Sequence, residues 1–147
     1  MDEYETVEIL LVEDSPLDAE LAMRGLKEHK LANNVIWVKD GEQALDYVYR
    51  RGKFEGRQGS GPRLILLDLK MPKVDGIQVT RTIKGDETTR HIPIVIMTSS
   101  KEERDISQSY SLGANSYIVK PLDFESLANV ASQAGYYWLA INRVPSS

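Results

Sequence analysis

The sequence contains no cysteine among its 147 residues, and it contains only two histidines, His29 and His91. The first absence excludes disulfides, thiolate zinc sites, iron–sulfur clusters and a cysteine nucleophile. With so few histidines, a metal site built from imidazoles is not expected. The 18 basic and 22 acidic residues give a net charge of −4, whereas domains that grip nucleic acid are usually basic. We therefore expect no nucleic acid partner.

Long hydrophobic runs are also missing. The longest unbroken run comprises residues 136–141, far short of the ~20 residues that span a bilayer. The start of the chain is acidic, unlike the basic start of a secretory signal. The length suits one domain. The sequence therefore predicts a cytoplasmic protein with no membrane contact, folded as a single domain over residues 1–147 with its core between residues 7 and 142.

Five short, mostly apolar segments recur along the chain. They comprise residues 7–12, 35–38, 64–67, 92–97 and 117–119. Three of them contain four consecutive apolar residues, at 9–12, 64–67 and 94–97. Runs that are apolar on both faces favour central strands of a parallel sheet covered by helices on both sides.

Helical segments separate the five runs. Their expected starts are Ser15 with Pro16 at the first helical position, Asp40, Asp75, a capping box from Ser100 to Glu103, and Asp123. The five alternating units predict an α/β fold, a flavodoxin-like doubly wound five-stranded parallel sheet of order 2-1-3-4-5 with five helices.

Apolar residues at helical spacing mark the inner faces of the first and last helices. The first helix carries Leu17, Leu21 and Leu26. The last, expected over residues 123–143, carries a longer stripe: Phe124, Leu127, Ala131, Ala134, Trp138 and Ile141. Between the second helix and the third strand, residues 52–62 contain four glycines, which predicts a mobile loop rather than a domain boundary.

Polar residues follow the strands where each one ends. Glu13-Asp14, Asp68, Thr98 and Lys120 come directly after or at the end of four different runs. The carboxyl ends of parallel strands share one edge, where ligands bind in open sheets. Crowded carboxylates repel one another, and Mg²⁺ with its preference for oxygen ligands would relieve that. Asp68 could then act as the nucleophile that accepts a phosphoryl group. Mg²⁺, Lys120 and Thr98 could each contact one phosphoryl oxygen, so the sequence contains the groups needed to form an aspartyl phosphate.

These motifs resemble the receiver domains of two-component response regulators. The matching stretches are residues 9–15, 66–72, 75–76, 94–99, 112–114 and 117–121. The resemblance implies that Asp68 accepts a phosphoryl group from a sensor histidine kinase or a phosphotransfer protein. It also implies that the chain is not an enzyme, beyond self-phosphorylation from a phosphodonor and autodephosphorylation.

The same resemblance implies a metal site and a role for the lysine. Asp14 and Asp68 would bind Mg²⁺ directly and Glu13 mainly through water, with the main-chain carbonyl of Lys70 completing the protein ligands. Lys120 would pair with the phosphoryl oxygens.

Further positions match the family's switch. Thr98 and Tyr117 correspond to its switch pair, which acts on the surface of the fourth helix, fifth strand and fifth helix. Lys70 and Ser100 flank the path by which water would attack the phosphoryl group, so we expect them to tune its lifetime. The peptide bond before Pro121 is commonly cis in the family.

The final helix is apolar almost all round in its last turns, which carry Tyr136, Tyr137, Leu139, Ala140 and Val144. Exposed aromatic residues mark partner sites, so we expect a homodimer contact here, with output through protein contacts. Four features resemble the stand-alone regulators paired with bacterial phytochromes: the opening at residues 13–18, the glycine-rich loop, residues 109–121 and the aromatic tail. This resemblance makes a phytochrome-type kinase a candidate partner.

Three alternatives remain at this point. A magnesium phosphohydrolase with an aspartate nucleophile often needs a second acid two positions later, where this chain has Lys70. A flavin- or nucleotide-binding module would need a phosphate loop where Glu13-Asp14 stands. A pseudo-receiver that binds partners without phosphorylation is the third.

Overall fold

The structure, a computed structural model, describes residues 9–28 and 34–143. Within them five strands alternate with five helices, as the alternation of apolar runs predicts. The strands are β1 (Ile9–Val12), β2 (Val35–Val38), β3 (Leu64–Leu67), β4 (Ile94–Thr98) and β5 (Ser116–Val119). The helices are α1 (Pro16–Glu28), α2 (Gly41–Tyr49), α3 (Gly76–Lys84), α4 (Glu103–Ser111) and α5 (Phe124–Tyr136). No helix in the described ranges is long and apolar enough to span a membrane. Val7, expected in the first strand, His29, and Val144 lie outside these ranges.

All five strands are parallel and follow the predicted order β2-β1-β3-β4-β5. The register aligns their carboxyl ends, since Val12 pairs with both Val38 and Leu67, and Thr98 pairs with Val119. The residues that follow these strands therefore emerge side by side at one edge of the sheet.

The hydrophobic core lies on both faces of the sheet. Alternate residues of β1, β3 and β4 point to opposite faces, and every residue of these strands is buried. One face packs against α2 and α3, and the other against α1 and α5 through residues such as Leu26 and Leu127. Full burial of a Leu or Ile side chain contributes about 1.5–3 kcal/mol, so this double-sided core explains why continuous apolar runs are needed here.

Four of the five helix starts agree with the predicted caps. The Ser15 hydroxyl accepts a hydrogen bond from Asp18 N at 3.3 Å, and Asp40, Asp75 and Asp123 cap α2, α3 and α5 through their carboxylates.

The capping box predicted from Ser100 to Glu103 is wrong. Helix α4 begins at Glu103 with Glu102 as its N-cap, and the Glu102 side chain makes no capping bond. The Ser100 hydroxyl instead donates to Asp105 Oδ2 and accepts from Glu102 N. The Ser100 oxygen therefore accepts from Glu102 N, which precedes the helix, rather than from Glu103 N, so Ser100 does not cap α4.

The helical stripes are buried in the middle and exposed at the ends. Leu21, Leu26 and Leu127 are buried as predicted, whereas Leu17 and Phe124 are exposed. A 13-residue helix is about 20 Å long, but a four-residue strand spans only about 13 Å. The first turns of α1 and α5 therefore extend beyond the sheet that would cover them.

The last helix ends differently from the prediction of a helix over residues 123–143. Helix α5 stops at Tyr136, and the chain continues in a π-helical turn, Tyr137–Ile141. Asn142 N closes this turn by donating to Tyr137 O at 2.6 Å. Ile141, predicted on the inner stripe, is exposed, because the wider turn rotates it away from that face.

The glycine-rich segment 52–62, for which the sequence predicts a mobile loop, contains a short helix and several hydrogen bonds to α2. It opens with a short 3₁₀ helix, Gly52–Phe54. The Arg57 guanidinium then donates to the carbonyls of Tyr47, Val48 and Ser60 and lies 4.3 Å from the centre of the Tyr47 ring. One arginine thus ties the loop to α2, a role that its glycines did not indicate.

Candidate functional site

The predicted acidic residues do meet at the carboxyl edge of the sheet. Glu13 and Asp14 follow β1, and Asp68 follows β3. Their carboxylate oxygens lie within 4.8 Å of one another. Glu13 and Asp68 are only 3% and 7% exposed, whereas Asp14 is exposed. Two buried carboxylates and one open to solvent therefore share a small space.

Lys120 reaches into this cluster from the end of β5. Its Nζ lies 2.7 Å from Glu13 Oε1, 2.9 Å from Asp18 Oδ2 and 3.3 Å from Asp68 Oδ2. The lysine side chain is almost fully buried, so these ion pairs are poorly screened. The sequence interpretation missed Asp18, although its position in the first turn of α1, four residues after Asp14, places it at the same edge.

The electrostatics show how crowded the carboxylates are. Burial and the charge of Asp68 together raise the pKa of Glu13 to about 7, against the opposing effect of Lys120 and of the hydrogen bond from Ser15 N. Burial alone would lower the pKa of Lys120, but Glu13, Asp18 and Asp68 outweigh it and raise that pKa above its usual value. The lysine is therefore a permanent cation at this site.

The residues present fit a hard divalent cation. The carboxylates of Glu13, Asp14 and Asp68 form the cluster, and Lys120 pairs with two of them and with Asp18. All the donors are oxygens, and the exposed Asp14 leaves room for water ligands, as Mg²⁺ requires. Lys70, whose main-chain carbonyl the resemblance adds to the ligands, lies in the loop two residues after Asp68.

The predicted switch residues lie on two neighbouring strands. Thr98, at the end of β4, is fully buried, and its hydroxyl lies 3.5 Å from Ser100 N. Tyr117 on β5 is partly buried, and its hydroxyl donates to the Ser100 carbonyl at 3.0 Å. Both side chains therefore bind the main chain of Ser100. Burial raises the Tyr117 pKa, so the phenol is neutral.

The two residues expected to tune the phosphoryl lifetime meet at a carboxylate that the sequence interpretation did not single out. Lys70 Nζ lies 3.5 Å from Asp105 Oδ2, and Ser100 Oγ donates to the same oxygen at 2.5 Å. The hydrogen bond from Ser100 and the charge of Lys70 lower the Asp105 pKa. Asp105 is a buried acid on α4, and a charged residue on the inner face of a helix was the signal that could have found it.

A cavity of about 730 Å³ adjoins the acidic cluster. Asp14, Lys70 and Met71 line it on one side, and Arg104 and Asp105 of α4 on the other. This opening gives a route to the cluster from solvent.

The peptide bond between Lys120 and Pro121 is trans, because the described residues contain no cis peptide. The commonly cis bond implied by the resemblance is therefore not observed. Trans is the intrinsically preferred isomer by about 0.5–1 kcal/mol.

The end of α5 presents part of the predicted contact surface. Tyr136 and Tyr137 are 51% and 46% exposed, and Ala140 is exposed too. Leu139 differs, since its side chain packs partly against the core and its carbonyl accepts a hydrogen bond from Arg63 at 2.9 Å. The apolar last turns are thus divided between the chain's own core and solvent.

The response regulator receiver domain family matches residues 9–132. The chain belongs to this family. Its fold, a sheet of order 2-1-3-4-5 with five helices, is that of receiver domain structures. The chain is a phosphoacceptor response regulator of two-component signalling, and receiver domains take their phosphoryl groups from histidine kinases. The family assignment favours this function over the phosphohydrolase and the flavin- or nucleotide-binding module.

Individual relatives cover nearly the whole receiver. It is 43% identical over 137 residues to the probable methanogenesis regulatory protein FilR2 of Methanothrix harundinacea (93% of this chain, 86% of that protein). It is 34% identical over 139 residues to response regulator Rcp1 of Synechocystis (95% and 93%). Among solved structures, the phosphorylated cyanobacterial phytochrome response regulator RcpA aligns with a TM-score of 0.88 at 36% identity (97% and 100%).

A metal-bound relative bears on the acidic cluster. Rcp1 has been solved in a Mn²⁺-bound form, which aligns with this receiver with a TM-score of 0.87 at 34% identity, covering 95% of this chain and 99% of that one. Receiver domains bind Mg²⁺ or Mn²⁺ at an acidic pocket, and Glu13, Asp14 and Asp68 form such a cluster here.

Proposed function

We propose that Asp68 is the residue that accepts the phosphoryl group. The observation that carries this proposal is its position at the end of the central strand β3, within reach of both the acidic pair and Lys120. Its Oδ2 lies 3.3 Å from Lys120 Nζ, so a phosphoryl group on this carboxylate would lie beside a positive charge. The adjoining cavity reaches the cluster at Asp14 and the loop after Asp68 at Leu69 and Lys70, so an incoming phosphodonor would approach from that side.

The metal site in this proposal uses Mg²⁺ held by Asp14, Asp68 and the Lys70 main-chain carbonyl, with Glu13 acting mainly through water. When bound, Mg²⁺ neutralises the carboxylates and the incoming phosphoryl charge. Around it the protein's own groups hold fixed positions. Ser15 N donates to Glu13 Oε2 at 3.1 Å, which keeps that carboxylate oriented.

Lys120 and Thr98 are the proposed partners of the phosphoryl oxygens. Lys120 is buried and permanently charged, so it stabilises developing negative charge better than an exposed lysine would. Its present partners Glu13 and Asp18 hold the ammonium beside Asp68. Thr98 would turn its hydroxyl toward the phosphoryl group, which weakens its present contact with Ser100 N.

The same movement defines the proposed switch. When Thr98 turns, it vacates space into which the Tyr117 ring can rotate, and the ring then leaves the Ser100 carbonyl. The change spreads over α4, β5 and α5, and it biases that surface between two states. Lys70 and Ser100 flank the phosphoryl group in this proposal and tune how fast it is lost by autodephosphorylation. Self-phosphorylation from a small phosphodonor uses the same residues.

The proposed partners are a sensor kinase and a second copy of the chain. Similarity to the phytochrome response regulator RcpA and to Rcp1 supports a phytochrome-type kinase. The similar protein FilR2 is named as a probable methanogenesis regulatory protein instead. A dimer through Tyr136, Tyr137, Leu139 and Ala140 is supported by the exposed aromatic rings at the end of α5.

The phosphoacceptor is tested by adding beryllofluoride and Mg²⁺ and following amide resonances of α4, β5 and α5. The wild type and Asp46→Asn, a matched change on α2 at the exposed Arg51 pair, should respond equally. Asp68→Asn should not respond. A full response in Asp68→Asn would refute the assignment. A wild type without any response, despite native circular dichroism, would favour the pseudo-receiver.

The dimer is tested by light scattering. We expect the wild type to dimerise at micromolar concentration, Tyr136→Ser with Tyr137→Ser to shift it to monomer, and Tyr110→Ser, which removes an exposed ring from α4, to leave it unchanged. A wild type that is monomeric at that concentration would refute the contact.

A further inference from the structure

A second cavity lies at the opposite edge of the sheet from the acidic cluster. It has a volume of about 860 Å³ and is lined by the residues that lead into β3 and β4, such as Pro62 and Pro93, and by the end of the π-helical turn. Small-molecule sites usually measure about 300–1,000 Å³. The cavity therefore has the size of a ligand site and is remote from the proposed phosphorylation chemistry.

The charge of this cavity is of one sign. Four arginines line it, Arg50, Arg57, Arg63 and Arg143, together with His91, and its lining includes no carboxylate. This is an unusual concentration of positive charge in a chain with a net charge of −4. Nearby Asp86 is already engaged by hydrogen bonds from Thr88 and Tyr49.

Three of these arginines, Arg50, Arg57 and Arg143, form no ion pair with the described residues. Arg57 and Arg50 donate to main-chain carbonyls, which satisfy donors without cancelling charge. Burial, together with repulsion from Arg50, lowers the pKa of Arg57 against the opposing effect of Tyr47. In the described part of the chain the Arg143 guanidinium has no ion pair. Arg50 and Arg143 therefore lie at one site without a carboxylate partner among the described residues, and a bound anion would neutralise their charge there.

The volume of the cavity and its apolar lining indicate the size and character of a fitting anion. Inorganic phosphate would fill only a small part of about 860 Å³. Trp138, Pro62 and Pro93 supply apolar wall beside the arginines. His91 also lines the cavity, and its buried Nδ1 has no hydrogen-bond partner within the described residues. Guanidinium groups bind phosphates in a bidentate way.

We propose that this cavity binds a phosphorylated organic anion of nucleotide size, with its phosphates on Arg50 and Arg143 and its organic part against Trp138 and the two prolines. Binding here is independent of Asp68 and of the metal site, because the two lie at opposite edges of the sheet.

The test is calorimetric titration of the full chain with ATP in the presence of EDTA, which keeps divalent ions from the acidic cluster. We expect saturable binding that weakens between about 50 and 500 mM salt, weaker binding of pyrophosphate, and none of adenosine. Arg143→Gln and Arg50→Gln should each weaken ATP binding at least about tenfold. Arg24→Gln, on the exposed face of α1, should have no effect.

Three results would overturn the proposal: no saturable binding of ATP, binding that Arg143→Gln leaves unchanged, or equal weakening by Arg24→Gln. The Arg143 side chain forms no hydrogen bond or ion pair with the described residues, so this variant keeps the test decisive even if Arg50→Gln disorders the loop.

Discussion

Lys70 Nζ lies 3.5 Å from Asp105 Oδ2, so the loop that follows β3 is tied to helix α4 beside the acidic cluster. Ser100 Oγ donates to the same carboxylate oxygen. Both residues expected to govern loss of the phosphoryl group are thus held by one buried acid. In the proposed function, Asp105 is therefore the residue through which α4 would restrain the path of water to Asp68.

Replacing Asp105 should therefore shorten the phosphoryl lifetime. Asp105→Asn removes the charge that holds Lys70 and weakens the bond from Ser100, so both side chains move more freely and water gains access. We expect autodephosphorylation to accelerate by up to about fivefold, the range of a partly exposed ion pair. Release of phosphate after labelling with acetyl phosphate measures it.

Glu103→Gln is the matched control, because Glu103 lies two positions away on the same helix and is exposed. If the autodephosphorylation rate is unchanged in each of the single variants Lys70→Asn, Ser100→Ala and Asp105→Asn, these three residues do not set the phosphoryl lifetime.

Tyr117→Phe should bias the switch without phosphorylation. The phenol bond to the Ser100 carbonyl stabilises the present ring position, and a neutral hydrogen bond contributes about 0.5–1.5 kcal/mol. Its loss should raise the population of the rotated ring severalfold. Amide resonances of the metal-free variant should therefore shift toward the positions that beryllofluoride induces in the wild type. Tyr110→Phe, an exposed tyrosine on α4, should give an unshifted spectrum, and an equally unshifted spectrum for Tyr117→Phe would contradict the prediction.

Trp37 should report on metal binding. Its indole N–H donates to the Glu13 carbonyl at 2.8 Å, whereas the other tryptophan, Trp138, lies in the π-helical turn that follows α5. Titration with Mg²⁺ should therefore change the fluorescence of the wild type and of Trp138→Phe, because the backbone of Glu13 adjusts when its carboxylate is engaged. Trp37→Phe should lose the change. A full response in Trp37→Phe would show that the metal binds elsewhere.

Gly25 should be essential to the packing of α1 on α5. A Cβ atom at this position would lie 2.1 Å from the main-chain oxygen of Ala128, so any side chain pushes the two helices apart. We expect Gly25→Ala to lower the free energy of unfolding by about 1–3 kcal/mol, measured by urea denaturation. Gly56→Ala is the control, since a Cβ there meets no atom within 4 Å. Equal stability of the two variants would contradict the close approach.

The parts of the structure that depend on strand periodicity and topology were predictable from the sequence. Continuous apolar runs identify buried parallel strands, and parallel strands bring Glu13, Asp68 and Lys120 to one edge whatever the loops do. The contact of Asp18 with Lys120 joins residues 102 positions apart, and no local pattern encodes where a long lysine side chain points.

Other errors arose from competition between local and tertiary contacts. Ser100 fits a capping motif, but its oxygen accepts from Glu102 N and its hydroxyl donates to Asp105 on the inner side of α4, so it does not cap the helix. Leu17 and Phe124 fit the helical stripes, but the sheet is too short to cover them. The contacts of Arg57 in the glycine-rich loop were not predictable from its composition, because they depend on where α2 places its carbonyl groups.

The central claim is that Asp68 carries the phosphoryl group, and mapping the modified residue tests it most directly. The wild type is incubated with acetyl phosphate and Mg²⁺ and analysed by mass spectrometry of its peptides. The phosphoryl group should be found on Asp68, and Asp68→Asn should remain unmodified. Modification at another residue, or equal labelling of Asp68→Asn, would contradict the account.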